Sequence, residues 1–161
     1  MNFWKKLFGI GQKQSCCGGD CCAHAENMQT LLSLTEEDMN VLKNLDERIV
    51  VGKVLEVTPH PDPSITKVRV TRTDLGNGTT EQILCGGTNL EAGFIVPVAT
   101  IGAKLSEDFE IGVRKIANVE SRGMICARAE LGLSPNGEQK GEIWSLPEEA
   151  EKYLGKCLRE L

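Results

Sequence analysis

The chain has 161 residues, and 23 acidic against 18 basic side chains give it a net charge of −5. That length is expected to hold one domain, or one domain with an appendage, and is too short for a large multidomain enzyme. A domain of this size buries roughly two thirds of its unfolded surface, so it can build a core without disulfides. Taken alone, the acidic balance argues against nucleic acid as a partner, because phosphate binding needs local positive charge. The seven Cys cannot all pair within the chain. No apolar run approaches the roughly 20 residues of a membrane span. Met1 to Ile10 does not read as a secretory signal, so a cytoplasmic setting with reduced thiols is expected.

Residues 1–27 read as an N-terminal tail. Phe3, Trp4, Leu7 and Phe8 would line one face of a short helix, opposite Lys5 and Lys6. Gln12 to Glu26 is rich in Gly and Cys without apolar periodicity, and disorder is expected there. Within it, Cys16, Cys17, Cys21 and Cys22 lie beside His24. Thiolates favour Zn²⁺ or Cu(I), and the Cys17–Cys21 spacing falls in the range of zinc sites. No second ligand pair with matching spacing follows. A zinc site, a redox role and a tail without a specific ligand therefore all stay open.

Residues 28–47 read as a linker with a short helix over Glu36 to Asp46. Thr35 is a suitable N-cap, and Asp38 stands where an acid supports the cap and the helix dipole. Met39, Leu42 and Leu45 form the stripe that would dock on the main domain.

Residues 48–150 read as that domain. Ile49–Val57 is rich in β-branched residues and is followed by Pro59, Pro61 and Pro63. Lys67–Thr73 alternates, with Val68 and Val70 on one face and Lys67, Arg69 and Thr71 on the other. Gly76-Asn77-Gly78 is a turn signal. Further strands are predicted over Gln82–Cys85, Phe94–Ile101, Phe109–Ile116 and Gly123–Ala127. Phe94 and Phe109 are expected in the core. Five or six short strands with Gly-rich turns, without a βαβ rhythm, suggest a mainly β domain closed into a small barrel. Residues 151–161 belong to a C-terminal helical tail, within a helix expected over Pro147–Leu161.

No catalytic motif stands out. His24 and His60 neighbour no nucleophile in a recognisable pattern, and neither a Walker-type loop nor HExxH is present. The chain is therefore not expected to be an enzyme. The acid is concentrated outside the strands: 35–47 carries a net −4 and 129–161 a net −3, whereas ten basic groups against nine acidic give 48–128 a net +1. Lys67 and Arg69, and the cluster Arg114, Lys115, Arg122 and Arg128, could share a phosphate-binding face or could simply be solvated surface. With few aromatics between 48 and 140, such a face would read backbone and shape rather than stack bases.

Six ordered blocks carry a resemblance. They are Val50–Val57 with His60-Pro61 and Lys67–Val70; Gln82–Asn89; Ala92–Ala99 with Ile101–Leu105; Val119–Cys126; Glu130–Leu133; and Ile143–Pro147. Together they resemble the N-terminal tRNA-binding module of the bacterial phenylalanyl-tRNA synthetase β subunit. The resemblance covers about residues 48–150. It implies an OB-fold, a five-stranded Greek-key barrel with short flanking helices, and a non-catalytic protein that binds tRNA rather than DNA by backbone and shape. It also implies a free-standing module, with dimerisation a feature of some relatives. Lys67, Arg69, Arg114, Lys115 and Arg122 would be phosphate contacts. Asn89, Ser121 and Met124 match positions linked to tRNA binding, with turn or core roles as the alternatives. Two departures stand out. The segment after His60-Pro61 is two residues longer, with Pro63 added, and Ala117-Asn118 replaces a usual Arg-Gly. The alternative function is a metal-binding or protein-interaction module in which the Cys-rich N-terminus acts and the barrel is a scaffold.

Overall fold

A computed structural model describes residues 30–161. The Cys16, Cys17, Cys21 and Cys22 cluster, His24 and the Phe3, Trp4, Leu7 and Phe8 stretch lie outside the described residues. Leu34 to Leu161 forms one compact unit. Its elements are helix α1 (Glu36–Lys43) and strands β1 (Ile49–Pro59), β2 (Arg69–Asp74), β3 (Thr80–Cys85), β4 (Ile95–Ala99), β5 (Lys104–Ser106), β6 (Phe109–Glu110), β7 (Arg114–Ile116), β8 (Val119–Ser121) and β9 (Met124–Ile125). Single-turn 3₁₀ segments lie at Ala129–Leu131 and Leu158–Glu160, and a longer one at Glu148–Tyr153.

Strand β1 is the spine. Its first half, Ile49–Lys53, pairs antiparallel with β4, and its second half, Lys53–Pro59, pairs antiparallel with β2, with a bulge between Val54 and Glu56. Strand β3 extends the meander beyond β2, and β9 adds to β4, giving the order β3-β2-β1-β4-β9. The two ends of this sheet meet through a few hydrogen bonds. Arg122 N–H donates to Gln82 O at 2.9 Å, the Gln82 amide donates to Glu120 O at 2.7 Å, and Leu84 N–H donates to the Ser121 hydroxyl at 3.0 Å. The result is a nearly closed five-stranded antiparallel barrel of the OB type.

The core follows from alternation along these strands. Val54, Ile83, Cys85, Leu90, Val96, Val98, Ile125 and Ile143 pack together, with Val50, Val57, Leu75 and Phe94 against them. On β2 the buried side chains are Thr71 and Thr73, while Val70 is only half-buried. The hydroxyls satisfy each other inside: Thr71 Oγ1 donates to Ile83 O at 2.9 Å and lies 3.0 Å from Thr73 Oγ1. Cys85, Cys126 and Cys157 are buried free thiols, and burial pushes the Cys126 thiol up to about 12.

Four expectations are corrected. The strand predicted over Phe109–Ile116 is two strands in two ribbons, since β6 pairs with β5 and β7 pairs with β8. The β7–β8 turn uses Ala117 at φ +43° and Asn118 at φ +67°, the two positive values that a two-residue type I′ hairpin needs. Ala-Asn is a weak signal for that turn. Phe109 is only half-buried, with the Arg114 guanidinium 5.2 Å from its ring centre. The helix expected to reach Asp46 stops at Lys43, where the Asn44 N–H turns back to the carbonyls of Leu42 and Val41. Finally, the C-terminal helix is broken. Gly155 sits at φ +79°, its N–H donates to Val51 O at 2.8 Å, and Val51 N–H donates to Lys156 O at 3.0 Å, so the chain here runs along β1. Only glycine fits, because a Cβ on Gly155 would lie 2.8 Å from Leu75 O.

Helix α1 is fixed to the barrel by a buried ion pair. Thr35 and Asp38 form the expected capping box, but Asp38 is also 3% exposed and faces Arg128, itself 2% exposed, at 3.5 Å. Ser134 donates to the same carboxylate through its N–H at 2.8 Å and its hydroxyl at 2.6 Å. The Arg128 guanidinium donates through Nε to Ser134 O at 2.6 Å and stacks 4.9 Å from the Trp144 ring centre. Burial raises the Asp38 carboxyl, but the hydrogen bonds from Ser134 and Thr35 outweigh it and hold the pKa at about 2. A depressed carboxyl adds stability that is present above its ordinary value near 3.8 and is lost as pH falls through about 2. Asp38→Ala is therefore expected to destabilise the unit by roughly 3–5 kcal/mol at neutral pH, because it strands a buried Arg. Denaturant melts from pH 7 down to pH 2 should show the difference from wild type shrinking only below pH 4. A difference independent of pH would show that the pair is not the cause.

Candidate nucleic-acid interface

In OB-type barrels the outer face of the second and third strands and the loops after the first and fourth strands form the ligand side. Here that side consists of β2 and β3, the 60–68 segment, and the β7–β8 ribbon inserted between β4 and β9. A shallow depression of about 460 Å³ lies on the strands, lined by Thr58, Arg72, Thr80 and Gln82 together with Glu56 and Glu81.

The two loops are joined by His60. Its ring is 6% exposed. Nδ1 accepts the Asp62 N–H at 3.0 Å, which leaves Nε2 to donate to Ile116 O at 3.1 Å. This is the neutral tautomer with its proton on Nε2. The Pro-rich 60–68 segment is further stiffened by Asp62, whose carboxylate accepts from the Ser64 N–H and hydroxyl at 2.9 and 2.6 Å. Those bonds hold the Asp62 carboxyl below its ordinary range. In the sequence His60 stands out only as part of a motif, and its role as a tie between loops is missed. The sole signal is a His two residues before an Asp, at the end of a strand.

The sequence-predicted residues fall into two groups. Lys67, Arg114, Lys115 and Arg122 are exposed. Arg122 reaches Glu120 at 3.2 Å and Glu81 at 3.5 Å, and Lys115 lies 4.0 Å from Glu120. Exposed pairs of this kind are worth little, so they orient the cations without neutralising the ribbon. Arg72, outside the predicted set, is exposed on the same strand face.

The remaining predicted residues are engaged by the fold. The Arg69 guanidinium donates to Leu90 O at 2.9 Å and Gly87 O at 2.5 Å. Asn89 bridges to Ile143 in both directions, its amide donating to the carbonyl at 3.0 Å and its oxygen accepting the N–H at 2.9 Å. Ser121, 6% exposed, accepts from Leu84 N–H and donates to Gly123 O at 3.1 Å. Met124 is half-buried and lines a separate cleft at the β3–β9 seam. Arg128 belongs to the buried α1 interface. Among the described residues, no group of His, Cys, Asp and Glu could hold a metal ion, and no helix is long and apolar enough to cross a membrane.

A family described as "Putative tRNA binding domain" matches residues 49–153, which spans the whole barrel from the first residue of β1. Similar relatives are phenylalanine–tRNA ligase beta subunits. That of Chlorobaculum tepidum is 45% identical over 117 residues, covering 70% of this chain and 14% of the relative. That of Acinetobacter baylyi is 39% identical over 131 residues, and that of Burkholderia pseudomallei 40% over 137, each covering 81% of this chain and 16% of the relative. The chain thus spans about one sixth of the length of the curated relatives it matches. With the barrel, its loops and this match in register, the chain belongs to the tRNA-binding-domain family.

Proposed function

We propose that this chain binds tRNA, without catalysis, through the outer face of β2 and β3, the 60–68 segment and the β7–β8 ribbon. The observation that carries the reading is the His60 bond to Ile116 O, which fixes a ribbon bearing Arg114, Lys115 and, just beyond it, Arg122 against the loop bearing Lys67. Two elements tied together in this way carry four exposed cations, and Arg72 is exposed on the neighbouring strands. Every aromatic side chain among the described residues is at least partly buried, so stacking on unpaired bases is not what the surface offers. Backbone and 2′-hydroxyl contacts on a folded RNA suit it better. Gln82 and Thr80 supply neutral hydrogen bonds between the charges. Arg69, Asn89 and Ser121 act as the scaffold that holds the face. Glu81 and Glu120, beside the cations, limit indiscriminate attraction to polyanions. The reading carries with it a cytoplasmic setting.

Gel-shift titration with total tRNA at two salt concentrations is the direct test. Affinity is expected to fall with salt at a log–log slope of about −0.7 to −0.9 for each phosphate engaged. Arg114→Ala with Lys115→Ala should make that slope shallower by about one for each phosphate the variant no longer reaches, alike for all tRNA species. Absence of binding at low salt would overturn the proposal. His60→Ala removes the positioning bond but none of the phosphate-binding cations. It should weaken tRNA binding roughly fivefold, the equivalent of about 1 kcal/mol, while leaving the salt slope unchanged; a shallower slope would mean that the imidazole itself meets phosphate.

A further inference from the structure

A second cleft, of about 620 Å³, opens where β3 ends and β9 fails to pair with it, and residues 135–143 form its other wall. Its volume falls within the range of ligand clefts, and its lining differs from that of the depression on β2 and β3. The deep part is apolar: Ile125 and Ile143 are buried and Met124 half-buried. The more open part carries three carboxylates, Glu130, Glu138 and Glu142. Each is held in place by one oxygen. Glu130 Oε2 accepts the Ala127 N–H at 2.8 Å, Glu138 Oε2 the Arg128 N–H at 3.3 Å, and Glu142 Oε2 the Gln139 N–H at 2.9 Å. Among the described residues, each Oε1 is left as an acceptor on a carboxylate anchored by backbone. Among the described residues, Lys140 is the only basic one in the lining.

We propose that this cleft receives an arginine side chain, flanked by apolar residues, from a partner polypeptide. A guanidinium presents five donors in a planar fork and carries the charge that three fixed carboxylates call for. Its methylene stem is apolar and suits Met124, Ile125 and Ile143. Burial pushes the Glu138 carboxyl up, against the pull of the Arg128 N–H and charge, so an arriving cation relieves a desolvated acid. Phosphodiester is disfavoured at the same place, since residues 129–161 carry a net −3. The inference is independent of the tRNA reading.

The test is a methyl and amide NMR titration of the whole chain with acetyl-Leu-Arg-Leu-amide, beside the same peptide with citrulline, which keeps the shape and loses the charge. The arginine peptide should shift Met124, Ile125 and Ile143 and bind at least tenfold more tightly than the citrulline peptide. Glu138→Gln with Glu142→Gln should weaken peptide affinity at least tenfold, while tRNA affinity changes less than twofold. Equal binding of the two peptides, shifts confined to other surfaces, or tighter binding of guanosine monophosphate in the cleft would each overturn the proposal. Should the double variant fail to fold, the citrulline comparison on the unaltered chain decides.

Discussion

One strand has to belong to both halves of the barrel, and that constraint organises the molecule. β1 can pair with β4 at its start and β2 at its end only if it bends sharply in between. Gly52 lies at that bend, where a Cβ would approach Val98 Cγ2 to 2.8 Å, and the bulge between Val54 and Glu56 adds the remaining twist. The outer edge of the bent strand then takes the C-terminal segment, whose Gly155 packs against Gly76. A Cβ on Gly76 would fall 2.7 Å from the Gly155 Cα. Two touching glycines let the chain end lie on β1, which the sequence pattern of a terminal helix does not suggest.

Closure on the other side is polar and incomplete, and this shapes both candidate surfaces. The β3 edge meets the β8–β9 segment through the Ser121 hydroxyl, the Gln82 amide and a single backbone bond, not through a continuous ladder. Where those bonds hold, they bring the β7–β8 ribbon beside the strand face. Where they stop, past Leu84, the seam opens into the carboxylate-lined cleft. The net charge of −5 is thereby divided in space. Exposed cations lie on the ribbon and the 60–68 loop, while carboxylates of 129–161 line the cleft.

The buried Asp38–Arg128 pair shows a similar economy of parts. Asp38 caps its own helix, accepts from Ser134 and faces the one guanidinium that is also stacked on Trp144. A buried pair is weak evidence for net stability, because desolvation of both charges opposes the attraction. Its physical effect is geometric. With every buried side-chain polar atom partnered among the described residues, the helix outside the family-matched segment has one place to sit.

Much of this is legible from residues alone. β-branched runs, Gly-rich turns and six motif blocks in order specify a mainly β barrel of the OB type and its kinship, because alternation along a strand and turn chemistry are local properties. The capping box at Thr35 and Asp38 is local in the same way. What the chain does with Asp38, Arg69, Asn89 and Ser121 emerges only in three dimensions. Their partners are Arg128, Leu90, Ile143 and Leu84, and no spacing rule links a polar side chain to a partner group tens of residues away. The Ala117-Asn118 hairpin and the Thr71 and Thr73 interior also contradict simple residue preference, since tertiary pairing there outweighs local propensity. Local patterning thus suffices for the barrel and its family. Which polar residues hold the barrel, and which remain exposed to meet a partner, is settled by the folded chain, because that division depends on distance in space.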